Sequence, residues 1–262
     1  MCLDYVAMEK DIVVGLGEIG DPILKLISKG FPAVGYDIKP ELMDMKKYEK
    51  LKNYETVFVH VCIPFSEKFE KIVIQMIDQH SPKAIVIHST IRPHTTENLQ
   101  RKLSIPVIYS ATRGVHRRMI QDMKRYTKFY SVYDWASNSE LASRAYVNRM
   151  KKAGIKTKRM TTPLILELAK IIVDTSYYGW LITYSQLSNM IAIKNKVDYN
   201  EMWSFADEIH KYLGNRPKMF PGFIGGHCVI PNLDLIKDDT LKLIKEINSD
   251  YAKILKKRRR KR

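Results

Sequence analysis

Cysteine is scarce in this chain. Cys2, Cys62 and Cys228 are the only three in 262 residues. They cannot build a disulfide framework and do not stand at metal-ligand spacing, so no metal is expected. Their number fits a reducing, intracellular, cytoplasmic setting. The opening MCLDYVAMEKD lacks an apolar core long enough for a signal peptide. Long apolar runs are missing too. The one long uncharged stretch, Thr175 to Ile193, holds Thr175, Ser176, Thr183, Ser185, Gln186, Ser188 and Asn189, too many polar groups for hydrocarbon. No membrane span is expected, and a helix buried between domains or subunits fits better. Acid is in short supply: 28 Asp and Glu face 44 Lys and Arg, for a formal charge of +16. The last seven residues, Lys256 to Arg262, are all basic. Such a run repels itself and is expected to be disordered. It is either a solubilising tail or a contact for nucleic acid or an anionic surface. No aromatic stacking motif accompanies it.

What is present begins near the N-terminus. Asp11-Ile12-Val13-Val14 is a short apolar run, followed by Gly15-Leu16-Gly17-Glu18-Ile19-Gly20, an amphipathic stretch and Ala33-Val34-Gly35-Tyr36-Asp37. This reads as strand, glycine turn, helix, strand, acid. Gly15 makes the tight turn, Gly17 lets backbone approach a pyrophosphate, and Gly20 permits close helix–strand packing. Glu18 and Ile19 lead into the helix, whose N-terminus faces the phosphates. Asp37 is placed to accept from a ribose hydroxyl, and an acid there repels a 2′-phosphate, so NAD is expected over NADP. Asp21 is irregular, an acid beside a phosphate site.

Further strands follow at 56–64 and 84–88, then 107–109 and 129–132, and the last is expected to begin at Ala153-Gly154-Ile155. Helical stretches separate the earlier ones, which predicts a parallel sheet. Loops at the carboxyl ends of such strands meet the ligand, so Pro64, Ser89 and Thr90 are expected on the nicotinamide side. Cys62 reads as a buried strand cysteine rather than a nucleophile. The basic stretch from Arg113 to Lys128 is expected close to cofactor or substrate.

From Thr162 the pattern changes. Thr162 and Pro163 open a helix as N-cap and first residue. Apolar and aromatic residues continue to about Ile193, a helix of roughly 45 Å at 1.5 Å per residue. Glu167, Lys170 and Asp174 fall on one face of an ideal helix, either as an ion-pair ladder or as an electrostatic catalyst. The stretch Pro221-Gly222-Phe223-Ile224-Gly225-Gly226-His227-Cys228 then brings glycines, where backbone can approach a ligand, next to a thiol. Gly222, Gly225 and Gly226 are the expected substrate contacts. The fold class is α/β: a Rossmann-like, doubly wound, mainly parallel sheet, then an all-helical domain with a long central helix. The expected division is 1–155, 156–250 and a basic tail at 251–262.

Taken together, Gly15 to Gly20 with Asp37, Ser89-Thr90 with Pro93 and Thr95-Thr96, Glu167-Leu168-Ala169-Lys170, and the glycine loop ending in Cys228 resemble the nucleotide-sugar dehydrogenases. These include the UDP-glucose and UDP-N-acetylhexosamine 6-dehydrogenases. The resemblance implies NAD-dependent oxidation of a sugar alcohol to a carboxylate through a thioester on Cys228. It implies that Lys170 stabilises the oxyanion, that the glycine loop clasps the substrate, and that the 163–194 helix forms a homodimer.

The departures are specific. Thr112 stands where the family carries a glutamate base, Asp174 replaces an asparagine and Asn232 replaces an aspartate. The roughly 30 residues that follow Cys228 here are too few for the family's C-terminal nucleotide-binding domain, so no counterpart to it is expected among them. Three readings follow: an NAD-dependent dehydrogenase of a nucleotide-sugar or related alcohol, a two-domain hydroxy-acid dehydrogenase using Lys170, and a divergent non-catalytic NAD-binding scaffold.

Overall fold

A computed structural model describes residues 8–213, 221–226 and 229–259. They divide into two compact units that meet in sequence at Leu168 and Ala169.

The first unit runs β1 (Glu9–Val14), α1 (Gly20–Ile27), β2 (Ala33–Tyr36), α2 (Met45–Lys50), β3 (Glu55–Val61), α3 (Phe69–His80), β4 (Ala84–Ile87), α4 (Thr95–Lys102) and β5 (Val107–Tyr109). It closes with α5 (Met119–Arg125), β6 (Lys128–Tyr130), α6 (Ser139–Lys152), β7 (Thr157–Arg159) and α7 (Pro163–Leu168). Five parallel strands stand in the order β2-β1-β3-β4-β5. The order reverses between β1 and β3, which opens a crevice at their carboxyl ends.

Both sheet faces are covered, so the strands are apolar on both sides. Val13, Phe58, Val86 and Ile108 pack with Ile23, Leu26 and Ile27 of α1 and Tyr146 and Met150 of α6. Their strand neighbours Ile12, Val59, Ile85 and Ile87 pack with Phe69 and Val73 of α3 and Leu99 of α4. The period of two places successive residues on opposite faces.

β6 and β7 form a separate parallel pair. The last strand begins at Thr157, not at Ala153. Ala153 caps α6, and Gly154, at φ +77°, ends it in a left-handed turn. α7 starts as expected, with Thr162 Oγ1 accepting from Ile165 N at 3.4 Å. Leu166 joins the second core layer. The sheet unit therefore extends to Leu168, beyond residue 155.

The second unit continues with a π-helical segment (Ala169–Ser176), α8 (Tyr177–Asn195), α9 (Tyr199–Leu213), α10 (Val229–Leu233) and α11 (Asp239–Arg259). Helix therefore runs through the whole expected long element, but its middle is widened to i→i+5 pitch. The core joins Ile224, Val229, Leu233, Leu241 and Ile244, with Trp180 and Ile182 against them. α8 and α11 pack along each other.

The expected disorder of 251–262 is corrected for 251–259, which are helical. Tyr251 is buried, and its hydroxyl donates to Pro221 O at 2.6 Å. Lys and Arg are good helix formers, and their charges are favourable at a helix C-terminus. Among the described residues no helix is long and apolar enough to cross a membrane, and no side-chain cluster could hold a metal.

Candidate functional site

The crevice of the first unit is built by glycines that have different tasks. Gly15 leaves β1 at φ +87°, and its N–H donates to Tyr36 O at 2.9 Å. A Cβ on Gly20 would sit 1.7 Å from Gly15 O, so α1 reaches the turn only because no side chain intervenes. A Cβ on Gly17 would meet nothing within 4 Å and points into open space. The turn is thus closed at Gly15 and Gly20 and open at Gly17, as a dinucleotide pyrophosphate requires.

Asp37, just past β2, accepts from Leu16 N at 2.7 Å and from Lys39 N at 2.9 Å. It staples the glycine turn to the end of β2. A carboxylate has about four acceptor positions, so capacity remains for ribose hydroxyls. These residues fit a dinucleotide. Asp21 is turned away: it pairs with Lys25 at 2.6 Å on the same helix. Glu18 pairs with His116 at 2.8 Å, which brings the basic 113–128 segment against the turn.

At the neighbouring strand ends, Ser89 Oγ donates to Ile63 O at 2.5 Å and ties β3 to β4. Pro64 is exposed and Thr90 partly buried beside it. Cys62 lies one residue past β3 rather than within it and is partly buried as a residue, but burial around its thiol pushes the pKa up to about 12, so it is a thiol and not a thiolate.

Thr112 lies beyond β5, its N–H donating to His88 O at 3.0 Å. Its hydroxyl oxygen accepts from the buried Lys128 Nζ at 2.9 Å, and the same ammonium donates to Ser110 O at 2.9 Å. Sequence reasoning read Lys128 only as part of a basic stretch. Its position at the head of an apolar strand was the available signal. A second missed feature is a buried pair in which His60 Nδ1 and His88 Nε2 lie 2.9 Å apart. Burial, then the Lys128 charge, holds His88 well below the ordinary histidine value.

Glu167 belongs to this unit and is not part of an ion-pair ladder. Fully buried, it accepts from His94 N at 2.7 Å, Thr96 N at 2.9 Å and Thr96 Oγ1 at 2.6 Å. It caps the start of α4 from α7. Burial raises its pKa despite these three donors.

In the second unit Lys170 and Asp174 lie in the π-helical segment and pair at 2.5 Å. Short π segments recur at functional sites. The glycine loop is anchored by side chains. Asn248 Oδ1 accepts from Ile224 N at 2.8 Å while its Nδ2 donates to Ile224 O at 3.0 Å. Gln186 Nε2 donates to Gly222 O at 2.7 Å and to Asn248 Oδ1 at 3.1 Å. Gly225 and Gly226 are exposed, Gly226 at φ +76°.

His227 and Cys228 lie outside the described residues. α10, which begins at Val229 and carries the partly buried Asn232, packs against the π-helical segment. Gly179 of α8 admits it closely, since a Cβ there would meet Val229 Cγ1 at 3.2 Å.

No protein-family model and no curated protein matches the chain. Solved structures do. The UDP-D-ManNAc dehydrogenase of Pyrococcus horikoshii superposes with a TM-score of 0.73 at 19% identity, over 92% of this chain and 68% of that one. A UDP-glucose dehydrogenase of Pyrobaculum islandicum gives 0.68 at 15% identity, over 97% and 69%. The 3-hydroxyisobutyrate dehydrogenase of Mycobacterium tuberculosis gives 0.64 at 15% identity, over 94% of both chains. The Rossmann-like sheet with its helical continuation is therefore the fold of these UDP-sugar and hydroxyisobutyrate dehydrogenases, and this chain spans about two thirds of the length of the UDP-sugar enzymes.

Proposed function

We propose that the protein is an NAD-dependent dehydrogenase that oxidises a primary alcohol of a UDP-sugar or related substrate, with Cys228 as the thiolate. The observation that carries this is within the second unit. α10 starts one residue after Cys228 and packs against the segment that holds Lys170 and Asp174. In sequence Cys228 directly precedes α10, which supports reading it and Lys170 as one site, where an ammonium would favour the thiolate.

NAD, when bound, accepts hydride. Gly15, Gly17, Glu18, Ile19 and Gly20 would hold its pyrophosphate, Asp37 its ribose, and Pro64, Ser89 and Thr90 the nicotinamide end. Gly222, Gly225 and Gly226 would contact substrate, and Lys170 would stabilise an oxyanion. Thr112 and Asn232 stand at the positions that resemble the family's proton-handling acids. The Thr112 hydroxyl accepts from Lys128, so its own proton is left to donate. It cannot act as a base, and Asn232 is not ionisable, so water activation is expected to be slow.

The test is reduced-cofactor absorbance over a panel of UDP-, GDP- and dTDP-sugars, with NAD binding followed by calorimetry. Turnover that Cys228→Ala stops at the aldehyde, with NAD affinity unchanged, is the expected result. NAD binding without turnover of any alcohol would leave the divergent scaffold. Absence of NAD binding would overturn the reading.

A second reading, oxidation of a smaller hydroxy acid with Lys170 as acid/base, is favoured by one observation. This chain and the hydroxyisobutyrate dehydrogenase cover 94% of each other. In that case Cys228→Ala retains activity and Lys170→Met abolishes it.

A homodimer through the 163–194 helix is supported by exposed Val173, Tyr177, Tyr184 and Ile191, and sedimentation of Tyr184→Glu tests it. Contact of Lys256 to Arg262 with nucleic acid or an anionic surface is tested by deleting 256–262. Affinity should fall, and its salt dependence should flatten.

A further inference from the structure

The ends of the strands opposite the glycine turn hold a cavity of about 450 Å³. Lys10, Lys52, Lys83, Tyr48, Tyr54 and His80 are among the residues that line it. All belong to the first unit, and none of them serves the crevice described above.

Lys10 is unusual for its place. It lies in β1, ahead of the apolar run, and is 7% exposed. Pairing with β3 steps from Lys10↔Thr56 to Asp11↔Phe58, so Val57 is passed over. Such bulges re-aim the side chains beside them and gather near functional sites. Lys10 Nζ donates to Leu51 O at 2.8 Å and Lys52 O at 2.9 Å, which caps the end of α2. An ammonium has three donors, so one remains.

The charges around it are unevenly matched. Lys83 pairs with Glu55 at 2.8 Å and Glu9 at 3.2 Å, and Lys52 with Glu49 at 2.9 Å. Among the described residues no carboxylate lies within ion-pair distance of Lys10. Its charge is buried and neutralised only by carbonyl dipoles, a costly arrangement that an anion would relieve. Burial accordingly lowers the Lys10 pKa, and burial together with the Lys10 charge lowers His80 to about 4. Glu55 also lines the cavity, its carboxylate held by Lys83, while Thr56, Gln79 and Ser81 are neutral and the two tyrosines and His80 are rings against which a flat ring could pack.

We infer that this cavity binds a small molecule carrying a phosphate or carboxylate on or beside a flat ring, with the anion on Lys10 and the ring among Tyr48, Tyr54 and His80. The site is independent of the cofactor reading.

The experiment is calorimetric titration of the full chain with adenosine monophosphate, benzoate and inorganic phosphate, repeated on Lys10→Met and Lys10→Arg. Hydrogen exchange of the Thr56, Ser81 and Lys83 amides is followed in parallel. The expected result is binding of at least one ring-bearing anion, weakened ~10-fold or more in Lys10→Met and largely kept in Lys10→Arg. Protection should rise at those three amides. Should Lys10→Met fail to fold, Lys10→Arg and the exchange pattern decide alone.

Absence of binding by all three probes overturns the inference. So does equal binding by a folded Lys10→Met, or protection at Leu16 to Gly20 instead. Inorganic phosphate binding as tightly as adenosine monophosphate would overturn the ring clause.

Discussion

The turn after β1 and the loop at 221–226 both use closely spaced glycines, and they are held in different ways. At the first, backbone meets backbone: Gly15 and Gly20 approach each other closely, and the Asp37 carboxylate adds a bond to Leu16 N. At the second, a Cβ on Gly225 or Gly226 would meet little or nothing, and the loop is fixed by Asn248 and Tyr251 on α11 and Gln186 on α8. A turn made of its own backbone is encoded where it stands. A loop made by borrowed side chains is encoded elsewhere in the chain, and it can be loosened without touching a glycine.

The sharpest way to break the first arrangement is Gly20→Ala. Its methyl group would overlap Gly15 O, and we expect a loss of at least about 3 kcal/mol in urea unfolding, together with loss of NAD binding. Gly17→Ala is its control. With open space around the new methyl group, stability should stay within about 1 kcal/mol of the parent while calorimetric NAD affinity falls.

The second arrangement should fail at a distance. Asn248→Leu leaves Ile224 N and O buried without partners, and should cost about 2–4 kcal/mol. Hydrogen exchange would show the loss at 222–226 and none at Gly15 to Gly20. An unchanged loop would mean the anchoring is redundant.

Glu167 gives a smaller, pH-dependent effect. Its folded pKa is raised above the ordinary value of 4.5. Its contribution is therefore complete below that value and declines as pH rises through the raised one. Unfolding free energy of the parent, measured across this window, should fall with pH relative to Glu167→Gln. Parallel profiles would show that the three donors fully offset the burial.

The smallest stability effect belongs to Asp174→Asn. The carboxylate is 43% exposed, so after screening the pair is worth under about 1 kcal/mol. If Lys170 serves an oxyanion, releasing it should raise turnover while stability hardly moves.

Legibility follows the same divide. The glycine turn, Asp37 and the strands flanking them were readable, because strand, turn and acid lie within one short stretch. Thr162 at its cap and the helical run to about Ile193, which the structure carries to Asn195, were readable from local pattern. The π pitch of 169–176 was not, because apolar spacing tolerates both pitches. An ideal helix aligns Glu167 with Lys170 and Asp174, as a ladder or as an electrostatic catalyst, whereas burial against Thr96 gives Glu167 a better set of partners. Asn248 and Gln186 carried no local signal, since Gln186 and Asn248 meet across 62 positions. Lys128 was absorbed into a run of charge, although its ammonium is buried. The basic end was expected to lack order, yet the favourable helix terminus and Tyr251 carry α11 through Arg259.

The cap that Glu167 places on α4 also fixes an order of events. The donors it satisfies lie at His94 and Thr96, 73 and 71 positions earlier. A ribosome adding about 5–20 residues per second exposes β4, α4 and β5 several seconds before their cap exists. Until Glu167 emerges, two backbone N–H groups at the head of α4, the buried one of Thr96 and that of His94, must rely on water. A fragment ending at residue 155 would carry every strand of the main sheet and still be unfinished, while one ending at Leu168 would not.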